Sequence, residues 1–118
     1  MEDKLFYYRA KVVRVVDGDT MDVEIDTGFS TWKKTRIRLD RINAYETKLY
    51  KGVTEEEKLK GLEAKKLMED IIATVGGNVF LHTTYKDKYG RWVAEMWIGD
   101  KNASDLLLEK SLAVLAQY

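Results

Sequence analysis

Alternation of charged and uncharged residues in the first third of the chain is the feature that most restricts its fold. Along residues 21–26 every second residue is apolar and its neighbours are acidic, and along residues 34–39 every second residue is uncharged and its neighbours are basic. A period of two is typical of a strand with one buried face. With a β-rich segment at 11–16 and turn signals at Asp17-Gly18 and Asp26-Thr27-Gly28, these runs predict a three-stranded meander.

The middle of the chain has the pattern of an amphipathic helix. Thr54 and Glu57 have the spacing of a capping box, and Gly76-Gly77 is a stop signal. Between these signals the apolar residues recur every three or four positions, as one stripe of a helix does. The members of the stripe are Ala64, Leu67, Met68, Ile71, Ile72 and Val75.

Two more strands, at 78–84 and 91–98, and a short helix at 102–110 complete the predicted order. The order β-β-β-α-β-β-α predicts an α+β, mainly β protein, a five-stranded OB-fold barrel with a helix at one end. We expect residues 1–118 to form a single domain. Such barrels bind oligonucleotides and sugars, but the fold alone does not define a function.

Composition excludes several classes of protein. The chain has 20 basic and 20 acidic residues and no cysteine, which argues against strong non-specific DNA coating and excludes disulfides and thiolate metal sites. No apolar run reaches the ~20 residues of a membrane span. The start of the chain lacks the apolar stretch of a signal peptide, so we expect a cytoplasmic protein. We also expect a monomer that does not contact a membrane.

Four short segments carry the residue types needed for chemistry on a phosphate. They are Asp17-Gly18-Asp19-Thr20, Arg38, Asn43-Ala44-Tyr45-Glu46-Thr47 and Asp87-Lys88-Tyr89-Gly90-Arg91. Oxygen donors suit a hard cation, guanidinium groups grip phosphates, and a glutamate can manage a water molecule. Taken singly, each segment is equally typical of a turn or of a solvated strand face.

Taken together, the segments resemble the staphylococcal-nuclease-like, or thermonuclease, family over residues 10–116, with a longer second hairpin in this chain. The resemblance implies Ca²⁺ as the cofactor, with Asp19, Asn43 and the main-chain carbonyl of Ala44 as its ligands. It implies three catalytic residues, with Glu46 orienting or deprotonating the attacking water and Arg38 and Arg91 gripping the scissile phosphate. Lys88 and Tyr89 resemble substrate-binding positions that contact the nucleotide.

Two residues of the third segment differ from the family pattern. Asn43 occupies a position where the family usually has aspartate, so the metal site has one charge fewer and is expected to bind Ca²⁺ loosely. Tyr45 replaces the usual proline, which removes a fixed φ before Glu46. Near the C-terminus, Tyr118 is the only candidate in place of a pair of base-stacking tyrosines that family members often carry.

The resemblance therefore predicts a calcium-dependent endonuclease that hydrolyses DNA and RNA, single strands by preference, and leaves 3′-phosphate ends, with activity weakened by Asn43. An alternative is a catalytically weak or inactive OB-fold module that binds single-stranded nucleic acid. A protein-interaction domain is a third possibility, and Trp32 in the hairpin is the one feature that favours it.

Overall fold

The alternating segments of the first third form long strands that begin earlier than the pattern indicates. The computed structural model of the chain describes residues 6–44, 54–87 and 89–115. The helices and strands, in chain order, are β1 Tyr7–Asp17, β2 Thr20–Gly28, β3 Thr31–Leu39, β4 Ile42–Ala44, α1 Glu55–Thr74, β5 Asn78–Lys86, β6 Trp92–Ile98, β7 Lys101–Asn102, α2 Ala103–Glu109 and β8 Ala113–Leu115.

Five of these strands close into a barrel. Strand β1 lies between β2 and β5, β5 pairs with β6, and β3 closes the barrel by a short parallel pairing with β6 over Ile37–Leu39. The α+β, mainly β fold and its OB-fold barrel are therefore confirmed. The three shortest strands, β4, β7 and β8, were not predicted, because segments of two or three residues are too short to show a period of two.

The core consists of the inward-facing residues of the barrel and one stripe of α1. Met21, Ile37, Leu81 and Met96 are fully buried in the barrel, and Met68 of α1 packs against them. At the start of α1 the Thr54 hydroxyl accepts a hydrogen bond from the amide of Glu57 at 3.1 Å, which confirms the predicted cap.

The end of α1 is tied to β1 by the two glycines of the stop signal. The amide of Gly77 donates to the carbonyl of Ile72 at 3.0 Å, and the Gly77 carbonyl accepts from the amide of Val12 at 2.8 Å. Gly77 has φ +83°, and a Cβ there would lie 3.3 Å from the Val12 carbonyl oxygen. Glycine is needed here because the backbones of helix end and strand meet closely.

Among the described residues, no helix is both long enough and apolar enough to span a bilayer.

Candidate functional site

The tight turn between β1 and β2 holds Asp19 against the end of β3. Its carbonyl accepts the amide of Leu39 at 2.8 Å, and its carboxylate Oδ1 accepts the Thr20 hydroxyl at 3.0 Å. Asp19 is buried, with 8% of its surface exposed. A buried carboxylate needs a counter-charge or hydrogen bonds, and the nearest described cation is Arg38.

Arg38 brings two of the predicted metal ligands together. Its Nη2 lies 3.4 Å from Oδ2 of Asp19 and donates a hydrogen bond to Oδ1 of Asn43. Both oxygens therefore face one point in space, which a guanidinium nitrogen occupies. The side chains of Arg38 and Asp19 are each only 12% exposed, so this pair is shielded from bulk water.

Strand pairing positions the next two predicted residues. Asn43 and Ala44 lie in β4, which pairs antiparallel with β8 so that Asn43 faces Val114 and Ala44 faces Ala113. The C-terminal strand thus fixes the backbone of both predicted ligands. Glu46, predicted to manage the water, lies outside the described residues.

The donor set can be tested against the chemistry of Ca²⁺, which takes six to eight oxygen ligands. A carboxylate oxygen and an amide oxygen already converge on a cationic group, and both are ligand types that Ca²⁺ accepts. Within the described part of the chain no three Asp, Glu or His side chains gather around one point. The residues present therefore fit Ca²⁺, with one negative side chain and otherwise neutral oxygens.

The turn between β5 and β6 fixes Arg91. Oδ1 of Asp87 accepts the amides of Tyr89 and Arg91, each at 2.9 Å, and Oδ2 accepts Nε of Arg91 at 2.8 Å. Burial alone would raise the pKa of Asp87, but these hydrogen bonds outweigh it and lower the pKa below its usual value. Sequence reasoning gave Asp87 no role, although an aspartate two residues before an amide it can cap, and four before an arginine, is a recognisable signal.

Arg91 keeps hydrogen-bonding capacity for an anion. Among the residues that the structure describes, its side chain donates only through Nε, which leaves the two terminal nitrogens. Its guanidinium lies 5.6 Å from the ring centre of Tyr89, whose ring is 72% exposed. Lys88, the other predicted nucleotide contact, lies outside the described residues.

Parallel pairing brings the two predicted phosphate-binding arginines to neighbouring strands. Ile37 pairs with Trp92 and Arg38 with Val93, so Arg91 precedes the first paired residue of β6. Arg36 lies on the same face of β3 as Arg38, but its Nε binds Oδ1 of Asp22 at 2.8 Å. The hydrogen bond from Arg36 lowers the pKa of Asp22, and this exposed pair lies outside the Asp19–Arg38–Asn43 cluster.

Asp40, the carboxylate closest in sequence to Arg38, is directed elsewhere. Its Oδ1 lies 3.6 Å from Nε of Arg41 and 3.4 Å from the hydroxyl of Ser104. Burial raises the pKa of Asp40 above its usual value. Asp40 therefore pairs with Arg41.

Most of the chain matches one protein family. The family described as staphylococcal nuclease homologue matches residues 36–118. The chain belongs to this family. The match covers Arg38, the β4 residues and Arg91, and it identifies the fold as a nuclease-like or nucleic-acid-binding one.

Two curated relatives are similar to the chain. An uncharacterized protein of Methanocaldococcus jannaschii is 35% identical over 111 residues, which cover 81% of this chain and 51% of the relative. Protein ParB of Escherichia coli is 29% identical over 96 residues, which cover 81% of this chain and 45% of that protein. The chain thus spans about half the length of both relatives.

Proposed function

We propose that the protein is a calcium-dependent phosphodiesterase that cuts single-stranded DNA and RNA and leaves 3′-phosphate ends. The observation that carries the proposal is the convergence of Asp19 Oδ2 and Asn43 Oδ1 on the guanidinium of Arg38. These two oxygens are of the ligand types that Ca²⁺ takes, and they already meet at a point that holds positive charge.

The chain's own residues divide the work in this proposal. Asp19, Asn43 and the carbonyl of Ala44 would hold Ca²⁺, which when bound would supply positive charge to the anionic phosphodiester. Arg38 and Arg91 donate to the phosphate oxygens and stabilise the charge that develops on them. Asp87 positions Arg91 by holding its Nε, so the fork of the guanidinium is oriented before substrate arrives. Glu46 would accept a proton from the attacking water. The water oxygen bonds to phosphorus while the P–O5′ bond breaks, so the phosphate stays on the 3′ end and the 5′ oxygen takes up a proton and leaves as a hydroxyl.

Mutation of the arginines tests the proposal with a matched control on one strand. We expect Arg38→Ala and Arg91→Ala to lower kcat for a single-stranded oligonucleotide in Ca²⁺ by about 10²–10³, the loss typical for one group that stabilises developing charge. Arg36→Ala is the control, because Arg36 lies two residues from Arg38 on the same face and is held by Asp22. Its kcat should stay within about threefold of the unmodified protein.

Chelation and end analysis separate the enzyme from its alternative. Cutting should cease in chelator and in Glu46→Gln, and mass spectrometry should find 3′-phosphate on the products. Equal losses for Arg36→Ala and Arg38→Ala would contradict the proposed site. Binding of the oligonucleotide without cutting at any Ca²⁺ concentration would favour a non-catalytic binding module, the alternative that the uncharged Asn43 supports.

A further inference from the structure

A cavity opens at the part of the barrel where β3 and β6 are not paired, and residues of β1, β2, β3, β5 and β6 line it. Strand β3 pairs with β6 only from Ile37 to Leu39, so the strands separate towards Lys33. The cavity in this gap has a volume of about 440 Å³. That volume lies within the range of small-molecule sites, which bury a ligand in a concave pocket.

Aromatic rings form the walls of the cavity. Phe6, Tyr8 and Trp92 line it, and the buried side chain of Ile25 also contributes. Trp92 follows Arg91 directly in the sequence. In the structure it is half-buried at the core edge, with one part of its ring turned to the cavity. Aromatic walls of this kind suit a flat ring that is apolar on its faces.

Hydroxyl groups complete the lining. Four threonines contribute to it, and two of them are engaged as donors: Thr84 donates to the carbonyl of Val93 at 2.8 Å and Thr27 to that of Thr31 at 2.9 Å. In the described part of the chain the hydroxyls of Thr35 and Thr83 make no hydrogen bond, so they can donate to or accept from the edge of a ligand. A ring with polar edges and apolar faces is the chemistry of a nucleobase.

The charge around the cavity favours an anion. Lys33 lines it, Lys86 has its Nζ 5.2 Å from the ring centre of Trp92, and no acidic residue is among the described residues of the lining. We propose that this cavity binds a nucleobase whose attached phosphate meets Lys33 or Lys86. This inference deepens the proposed function, because the base would belong to the substrate strand or to a released nucleotide, but the pocket does not include Arg38, Arg91 or Tyr89.

Binding of mononucleotides in chelator tests the pocket apart from catalysis. AMP and ribose 5-phosphate share the sugar and the phosphate and differ in the base, so calorimetry of the full chain should show AMP binding at least tenfold more tightly. Thr83→Phe fills the cavity from its lining and should weaken AMP binding at least tenfold. Trp32→Leu, which removes a half-exposed ring outside the cavity, should leave AMP affinity within twofold.

A second variant and a second ligand complete the test of the pocket. If Thr83→Phe does not fold, as judged by thermal unfolding, Lys33→Glu replaces it, because Lys33 is exposed and the reversed charge should weaken AMP binding at least fivefold. An oligoadenylate that binds more tightly than AMP, with the same loss in the variant, identifies a base within a strand as the ligand; equal affinities identify the free nucleotide.

The outcomes for the pocket and for the nuclease differ. Equal affinity for AMP and ribose 5-phosphate, or no change in the cavity-filled or charge-reversed variant, overturns the pocket even if the protein cuts DNA. Tight AMP binding without any calcium-dependent cutting retains the pocket and overturns the proposed reaction.

Discussion

At the scale of single residues, Arg38 and Asn43 have the largest expected effect on the properties of the candidate site. The guanidinium of Arg38 contacts both predicted metal ligands and compensates the buried charge of Asp19. In the proposed function a metal would take the place of Arg38 as the counter-ion of Asp19, and Arg38 would turn towards the phosphate.

Replacing the amide of residue 43 by a carboxylate should tighten the metal site. With Asn43→Asp, a second negative ligand faces the same point as Asp19, and we expect the Ca²⁺ concentration for half-maximal cutting to fall by roughly an order of magnitude. Titration of activity against Ca²⁺ measures it. Asn43→Ala is the paired control, because it removes the oxygen and should raise that concentration; an unchanged value in both variants would exclude residue 43 as a ligand.

At the scale of secondary-structure elements, the β5–β6 turn is a preformed support for Arg91. One carboxylate, Asp87, caps two amides and holds one guanidinium, and Gly90 has φ +81°, which the turn requires. The β4–β8 pairing plays the same part for Asn43. The carboxylate of Asp87 thus fixes the turn that carries Arg91, and strand β8 fixes the backbone of Asn43.

Protonation of Asp87 should weaken this turn. Because the folded pKa of Asp87 is lowered, its contribution to stability is present above the unfolded pKa of about 3.9 and is lost as the pH falls through the folded pKa. Asp87→Asn should lower the free energy of unfolding at pH 7 by about 1 kcal/mol, and the difference from the unmodified protein should shrink in acid.

Urea denaturation at a series of pH values measures this loss. Asp100→Asn is the control, because Asp100 is an exposed carboxylate in the turn before β7 and its loss should change stability little at any pH. A deficit for Asp87→Asn that stays constant down to pH 2 would show that the charge of Asp87 does not stabilise the turn.

At the scale of the whole molecule, barrel closure joins the two halves of the candidate site. Residues from the β1–β2 turn, β3 and β4 supply the predicted metal ligands and Arg38, whereas Arg91 comes from the turn just before β6, on the far side of α1 in the sequence. The parallel β3–β6 pairing and the hydrogen bond from the Asp40 amide to the Ala94 carbonyl at 3.0 Å connect them. Core packing that keeps the barrel closed is thus a condition for the site.

Truncation of a core side chain should therefore cost both stability and activity. Leu81 of β5 is fully buried, and Leu81→Ala is expected to lower the free energy of unfolding by about 2–5 kcal/mol. Its neighbour Phe80 is 50% exposed on the other face of the strand, so Phe80→Ala should cost less than half as much. Urea denaturation of both variants checks the prediction, and equal losses would contradict the assignment of inner and outer faces.

Much of the fold followed from local pattern. The period of two in β2 and β3, the Thr54 cap and the Gly76-Gly77 stop each act over a few residues, and the structure confirms each of them. The short strands β4 and β8 escaped prediction because they are strands only through pairing with each other across most of the chain, and β7 escaped because two residues cannot show a period of two.

The amino-acid sequence determined the order of the elements, the family and the chemical types of the site residues, because these depend on the identity and spacing of neighbours along the chain. Only the tertiary structure decided that Asp19 and Asn43 share one guanidinium, that Asp22 pairs with Arg36, and that Trp92 lines a cavity. The physical reason is that contacts between strands depend on pairing register and on where the strands diverge, and these are fixed only when the barrel closes around its core.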